Sequence, residues 1–274
     1  MGKKRNRIYQ REKRVFHGDY LDVYCYPVFR KANSRGKKAR MTSAAQKKLN
    51  QKMAEEKLVH LLHTNFTQND IEIGLGFRTE NMPESYQECL RILQNYLRRI
   101  KRARNKLGLA ELKYIAVIEK GKRSGRYHIH MTMSGGMDRD EIERIWGLGY
   151  ANARRLQFTQ NGLRGLAKYK VKKPQSREAE LEGMHKRWLQ SKNLKKPTEK
   201  KRDGFISRRT VRQIRRGEVT EQEVERLYSG YRIAEWEPFY NDVNGGEYLI
   251  IRLYKKDEPY RGKEKKHRGE RRTE

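Results

Sequence analysis

The order of elements between residues 70 and 158 predicts an α+β fold, a central antiparallel sheet backed by helices. Three observations carry that expectation. An alternating strand at 70–77 leads into a long capped helix. Two apolar runs around a Gly/Lys/Ser/Gly cluster at 114–133 read as a hairpin, and a second capped helix returns to a strand at 150–158. Strand, helix, strand, strand, helix, strand is the split βαβ, ferredoxin-like order.

Taken in order, residues 1–20 are dominated by Lys and Arg and are expected to stay mobile until they meet a partner. VYCYPVF at 23–29 reads as a strand, an edge strand at best because Pro27 has no N–H to donate. Lys31 to Arg40 is a solvated basic linker, so residues 1–41 form a basic N-terminal arm. Residues 43–63 are helix formers with a partial apolar stripe (Ala45, Leu49, Met53, Leu58, Leu61, Leu62), broken at Thr64-Asn65. In DIEIGLGF, 70–77, Ile71, Ile73, Leu75 and Phe77 face a core, while Glu72, Gly74 and Gly76 leave the other face open to a ligand.

Ser85-x-x-Glu88 is a capping box, and Tyr86, Cys89, Leu90, Leu93, Tyr96, Leu97 and Ile100 follow at helical spacing as far as Gly108. Asp138-x-x-Glu141 repeats the signal ahead of Ile142, Ile145 and Trp146, with Gly147 and Gly149 closing the helix. A further helix is expected at 161–173. These elements give a core at 42–175. Beyond it, Ser207 to Arg216 reads as a basic helix, Thr220-x-x-Glu223 as the cap of another, and 231–239 with 247–254 as a hairpin. This extension, 176–255, either recognises DNA, adds strands to the core or is purely structural, and 256–274 is expected to be a disordered basic tail.

A formal charge of +31 and a pI near 10.2 call for a polyanionic partner, and nucleic acid fits best. The most apolar run, Tyr248 to Ile251, is far too short to span a bilayer, which argues against a membrane partner. Lys3, Lys4 and Arg5 are not followed by an apolar segment, so no secretory signal is read and a cytoplasmic protein is expected. Cys25 and Cys89 are too few for a disulfide framework and read as small packed hydrophobes.

The hairpin carries the chemistry. Along its second strand His128, His130 and Thr132 share one face and Tyr127, Ile129, Met131 and Met133 the other. A turn centred between Arg123 and Ser124 sets Glu119 opposite His128 and Val117 opposite His130. Two imidazoles and a carboxylate then form a metal site with open positions for substrate oxygens, although a histidine on a strand is as often a solvated surface residue. In NGLRGLAKYKVKK, 161–173, Leu163, Leu166, Ala167 and Val171 face the core while Tyr169, Lys172 and Gly165 share the other side. Tyr169 reads as a nucleophile with Lys172 as the cation beside it. The free phenol titrates near ~10 and needs such help at neutral pH.

On YHIHMTMSGG (127–136) and LAKYKVKK (166–173) the chain resembles the HUH endonucleases, and among them the single-tyrosine rolling-circle replication initiators of Gram-positive plasmids and prophages. IEIGLGFRTENMPES (71–85), WGLGYANARRL (146–156) and SKNLKKP (191–197) support the likeness, which spans about 42–215. It implies the HUH fold, Mg²⁺ or Mn²⁺ held by Glu119, His128 and His130, and Tyr169 attacking single-stranded origin DNA to leave a 5′-phosphotyrosine and a free 3′-hydroxyl. Arg123, Arg126, Lys168 and Lys173 are the expected DNA contacts. Where some phage-type initiators carry a second tyrosine one turn away, this chain has Gly165 and Lys173.

No GxxxxGK[ST] stretch is present, so unwinding and synthesis fall to a host helicase and polymerase. Two alternatives stand beside this reading. One is a transposase or mobilisation relaxase using the same chemistry. The other is a non-catalytic nucleic-acid binder with an aromatic sheet face, which the residues Glu119, His128, His130 and Thr132 on that face oppose.

Overall fold

The computed structural model describes residues 9–29, 44–121, 124–171, 187–241 and 246–256. The expected core order is present as β3 (Ile71–Gly76), α2 (Tyr86–Lys106), β4 (Tyr114–Lys120), β5 (Tyr127–Met133), α3 (Arg139–Trp146) and β6 (Ala151–Arg155). The strands lie in the order β6-β3-β5-β4, each neighbouring pair antiparallel, and β7 (Leu189–Gln190) extends the far edge.

The alternation in β3 and β5 dictates what covers this sheet. Ile71, Ile73 and Leu75 with Ile129, Met131 and Met133 form one apolar face, closed by α2 and α3 through Leu93, Tyr96, Ile100 and Trp146. Both helices start where their caps predict: Ser85 accepts from the Glu88 N–H, and Asp138 from those of Asp140 and Glu141. The buried aromatics keep their polar atoms paired, Tyr96 donating to Ile142 O at 3.1 Å and Trp146 to Gly76 O at 2.7 Å.

The chain's two ends build a second antiparallel sheet. It runs β8 (Thr198–Asp203), β1 (Tyr9–His17), β2 (Tyr20–Val28), β10 (Gly246–Lys255), β9 (Tyr231–Asn241). Residues 9–17 are therefore an ordered strand rather than part of a mobile arm, which corrects the reading from composition. The reason is cross-strand charge matching: Arg11 pairs with Asp203 and Lys13 with Glu199, both on β8, about 190 residues away along the chain. The 23–29 segment is likewise not an edge strand. β2 is central as far as Cys25, where pairing with β10 stops, so Pro27 lies beyond the last rung on that side.

One face of this second sheet is covered by α5 (Arg208–Arg215) and α6 (Glu221–Arg226) through Val211, Ile214 and Val224. The basic helix, the Thr220–Glu223 capping box and the β9–β10 hairpin all form as expected. The 1–41 and 176–255 segments thus share this second sheet, while 176–255 also lends β7 to the first. The 30–43 linker and the tail after Lys256 lie outside the described residues.

Between the sheets runs α1 (Ala44–Asn65). Leu58, Leu62 and Phe66 pack with Ile115 of β4 and with α4 (Arg164–Lys170). Its opposite side, Glu56, His60 and His63, meets β1, β2 and β10. The last turns of α1 are therefore buried all round. Among the described residues no helix is long and apolar enough to cross a membrane.

Candidate active site

The face of the first sheet turned away from α2 is where β3 and β5 leave room. Glu119 pairs with His128 and Val117 with His130, the register read from the turn position. On the other flank of β5, Gly76, Gly74 and Glu72 stand beside His128, His130 and Thr132, and β6 sets Asn152 next to Gly74 and Arg154 next to Glu72. A Cβ on Gly74 would meet nothing within 4 Å, so the sheet beside His130 is an open floor.

Over that floor stands α4. Its axial periodicity buries Leu163, Ala167 and Val171 and sets Tyr169 outward, 40 % exposed. The Tyr169 hydroxyl lies 3.2 Å from His130 Nε2, with the two rings edge-on at 4.9 Å between centroids. His128 Nε2 is 3.2 Å from Glu119 Oε2, and the His128 and His130 rings meet edge-on at 5.1 Å. A cavity of about 370 Å³ adjoins them, lined by Glu72, His130, Arg154, Arg155, Gln157 and Tyr169 among others.

The donor set decides whether these residues suit an ion. With metal–ligand bonds of about 2.0–2.2 Å, two donors on one ion stand about 3 Å apart when adjacent and about 4.4 Å when opposite. The donor atoms of Glu119, His128 and His130 all lie within 4.8 Å of one another, so small side-chain adjustments bring them onto a common centre. Two imidazoles and one carboxylate suit several divalent ions. Burial, with the carboxylates of Glu119 and Glu72, pushes the Tyr169 phenol above its ordinary range, and Arg154 pulls the other way. A cation held by the triad would act in the same sense as Arg154.

Two features of α4 escaped the sequence reading. Lys170 is fully buried, 3.2 Å from Glu72 Oε1, and burial lowers its pKa against the pull of that carboxylate. Its position was legible: Lys170 falls three residues after Ala167, on the apolar stripe itself. Glu72, expected to face a ligand, is buried in this pair. The helix also starts at Arg164 rather than 161, because Thr159 and Gly162 form a bridge with Gly162 at φ +61°.

The second omission is a buried cluster at the head of α4. Arg164 pairs with Asp22 and, at 2.8 Å, with Glu56, which also takes Arg252 at 3.1 Å. His60 Nε2 lies 2.9 Å from Asp22 Oδ2. The Leu163 N–H donates to His63 Nε2 at 2.7 Å, so His63 carries its proton on Nδ1, facing His17 Nδ1 at 3.0 Å. His17 then holds its proton on Nε2, 3.5 Å from Asp22 Oδ2. Burial lowers both His63 and His17, which agrees with this neutral relay. Asp22 goes the other way: burial works to raise it, but the bonds from His17 and His60 and the charge of Arg164 hold it well below the usual carboxylate range. His17, Asp22 and His60 also bring three donor atoms within 4.8 Å of one another, but the guanidinium of Arg164 already supplies the cation there. The Glu56, His60, His63 spacing on α1 was the available signal.

The remaining expected residues divide. Lys168 is exposed on α4, and Arg126 donates to Phe77 O at 2.8 Å and to Thr79 Oγ1 at 3.4 Å. Arg123, Lys172 and Lys173 lie outside the described residues.

Against known families, the family described as replication-associated protein ORF2/G2P matches residues 73–174. No curated protein and no solved structure matches the chain. The matched stretch holds Glu119, His128, His130 and Tyr169, and the likeness supports a role in replication initiation. The anchors Asp22, Glu56, His60 and His63 lie outside it.

Proposed function

We propose that the chain is a single-tyrosine nicking and joining endonuclease of the HUH type that initiates rolling-circle replication on single-stranded DNA, as in Gram-positive plasmids and prophages. The observation that carries this reading is the 3.2 Å approach of the Tyr169 hydroxyl to His130, on the face that also bears Glu119 and His128. The cavity that His130 and Tyr169 line together with Arg154 and Arg155 supports the same reading.

Glu119, His128 and His130 would hold Mg²⁺ or Mn²⁺. When bound, the ion supplies Lewis-acid polarisation of the scissile phosphate and neutralises the charge that builds there. Tyr169 attacks phosphorus in line; its Oη–P bond forms as the P–O3′ bond breaks. The phenol proton leaves to solvent and the departing 3′-oxygen takes one up, with Lys172 as the cation expected beside it. The energy of the phosphodiester is kept in the phosphotyrosine, so the free 3′-hydroxyl can prime synthesis and the strand can later be rejoined. Arg123, Arg126, Lys168 and Lys173 contact phosphates, which position the strand without reading it. Host helicase and polymerase complete the reaction.

The test is a random-sequence single-stranded oligonucleotide pool labelled at its 3′ end. With Mn²⁺ the wild-type protein becomes covalently labelled, and chelation or Tyr169→Phe removes the label while binding persists. Labelling of the Tyr169→Phe protein would remove this tyrosine from the mechanism. Sequencing the captured strands gives the origin.

A further inference from the structure

The loop at 156–163 is a wall shared by two cavities. Leu156, Gln157 and Leu163 face the tyrosine cavity, while Phe158, Thr159 and Gln160 line a second cleft of about 590 Å³. The rest of that cleft comes from the β1–β2 turn at Gly18–Tyr20, the end of α1 with the segment to Asn69, and Lys113 and Tyr254.

We infer that this second cleft receives a nucleobase of the same single strand whose phosphate lies at Tyr169. The inference rests on the DNA substrate proposed above. The volume falls in the ~300–1,000 Å³ range of small-ligand sites. The Tyr20 and Phe158 rings lie within 14° of parallel, with centroids 6.5 Å apart, and His63 stacks on Tyr20 at 4.2 Å. Such flat faces take bases of any sequence by stacking. The amides of Gln68, Asn69 and Gln160 offer paired donors and acceptors of the kind that meet base edges, and Lys113 brings a cation for a phosphate. Lys255, also on the wall, is held 2.9 Å from Asp19.

The cleft is also preformed. Gly18, at φ +65°, sits so close to the end of α1 that a Cβ would lie 2.3 Å from His63 O, and one on Gly162 would lie 2.2 Å from His63 Nε2. Two turns therefore press on one residue, Gly18 against the His63 backbone and Gly162 against its ring. Arg154 and Arg155 line the tyrosine side, so a strand leaving that cavity along the loop passes cations before it reaches the aromatic faces.

The experiment measures oligonucleotide binding in the Tyr169→Phe background, where no covalent product forms, using captured strands with 2-aminopurine at successive positions around the nick. The expected result is quenching confined to one or two positions. Phe158→Ala should abolish that quenching and weaken binding about 10-fold, as loss of one stacked base does. Gln160→Ala, an exposed change that spares the packing, should weaken it several-fold, and heparin, a polyanion without bases, should bind all variants alike. Unchanged affinity in both variants, or equal losses for DNA and heparin, overturns the cleft's role. Failure of the Tyr169→Phe protein itself to bind single strands would instead remove the substrate reading, and the cleft's ligand with it.

Discussion

Among the described residues, two histidine–carboxylate clusters sit at opposite ends of one short helix. At the outer end of α4, Glu119, His128 and His130 gather beside Tyr169 on a half-exposed sheet face, with His128 about one-third exposed. At the inner end, His17, Asp22 and His60 are buried around Arg164. Each joins two imidazoles to one carboxylate, but their surroundings differ. In the buried cluster a guanidinium of the chain supplies positive charge, so the carboxylates are satisfied within the fold. In the outer cluster the donor atoms lie within 4.8 Å of one another, and His130 also lines the cavity beside Tyr169. The first arrangement ties α4 to the second sheet, and the second is the site proposed for chemistry.

The largest expected effect tests the inner cluster. Arg164→Met leaves Asp22 and Glu56 buried without their shared cation, which costs about 3–5 kcal/mol. Denaturant unfolding should register that loss, and a change under 1 kcal/mol would mean the cluster holds no uncompensated charge. Next comes the outer cluster. Mn²⁺ at ~100 times its dissociation constant should stabilise the wild-type protein by about 2.7 kcal/mol. The His130→Ala protein should gain almost nothing; an equal gain would place the ion elsewhere.

A third difference lies in pH. Burial lowers His63 and His17 below the ordinary 6.5, so the unfolded chain takes up protons that the folded chain refuses. Their contribution to stability is complete above pH 6.5 and is lost as the pH falls below it, with a slope of up to about 1.4 kcal/mol per pH unit for each histidine. Stability that stays flat from pH 7.5 to 5 would contradict the neutral relay. The smallest effect belongs to His128→Asn without added ion. At a partly exposed position it should change stability by about 0.5 kcal/mol or less, and a loss of several kcal/mol would make His128 a structural residue.

How much of this the sequence carried depends on the range of the interactions. The register of the β4–β5 hairpin follows from its turn, because pairing across a short loop is fixed locally, and so Glu119 opposite His128 was legible. The caps at Ser85, Asp138 and Thr220 are local in the same way. β1 was not legible: its Lys and Arg look like a solvated arm until Glu199 and Asp203, far along the chain, are set beside them. α1 was legible as a helix, but what it packs against was not. A helix packed on both sides has no single polar face, so the apolar stripe gave no sign that Glu56, His60 and His63 meet a second sheet. Lys170 shows the limit of the apolar stripe, since the position was right for burial but its partner Glu72 comes from a strand nearly a hundred residues earlier.

The Tyr169 phenol oxygen is the nucleophile proposed for the Glu119–His128–His130 site. Proteolysis of the Mn²⁺-dependent covalent adduct, followed by mass spectrometry of the nucleotide-bearing peptide, tests it directly. A 5′-phosphonucleotide on Tyr169 and nowhere else is the expected result. A nucleotide found on any other residue, or an adduct that forms equally in the absence of divalent ion, would contradict it.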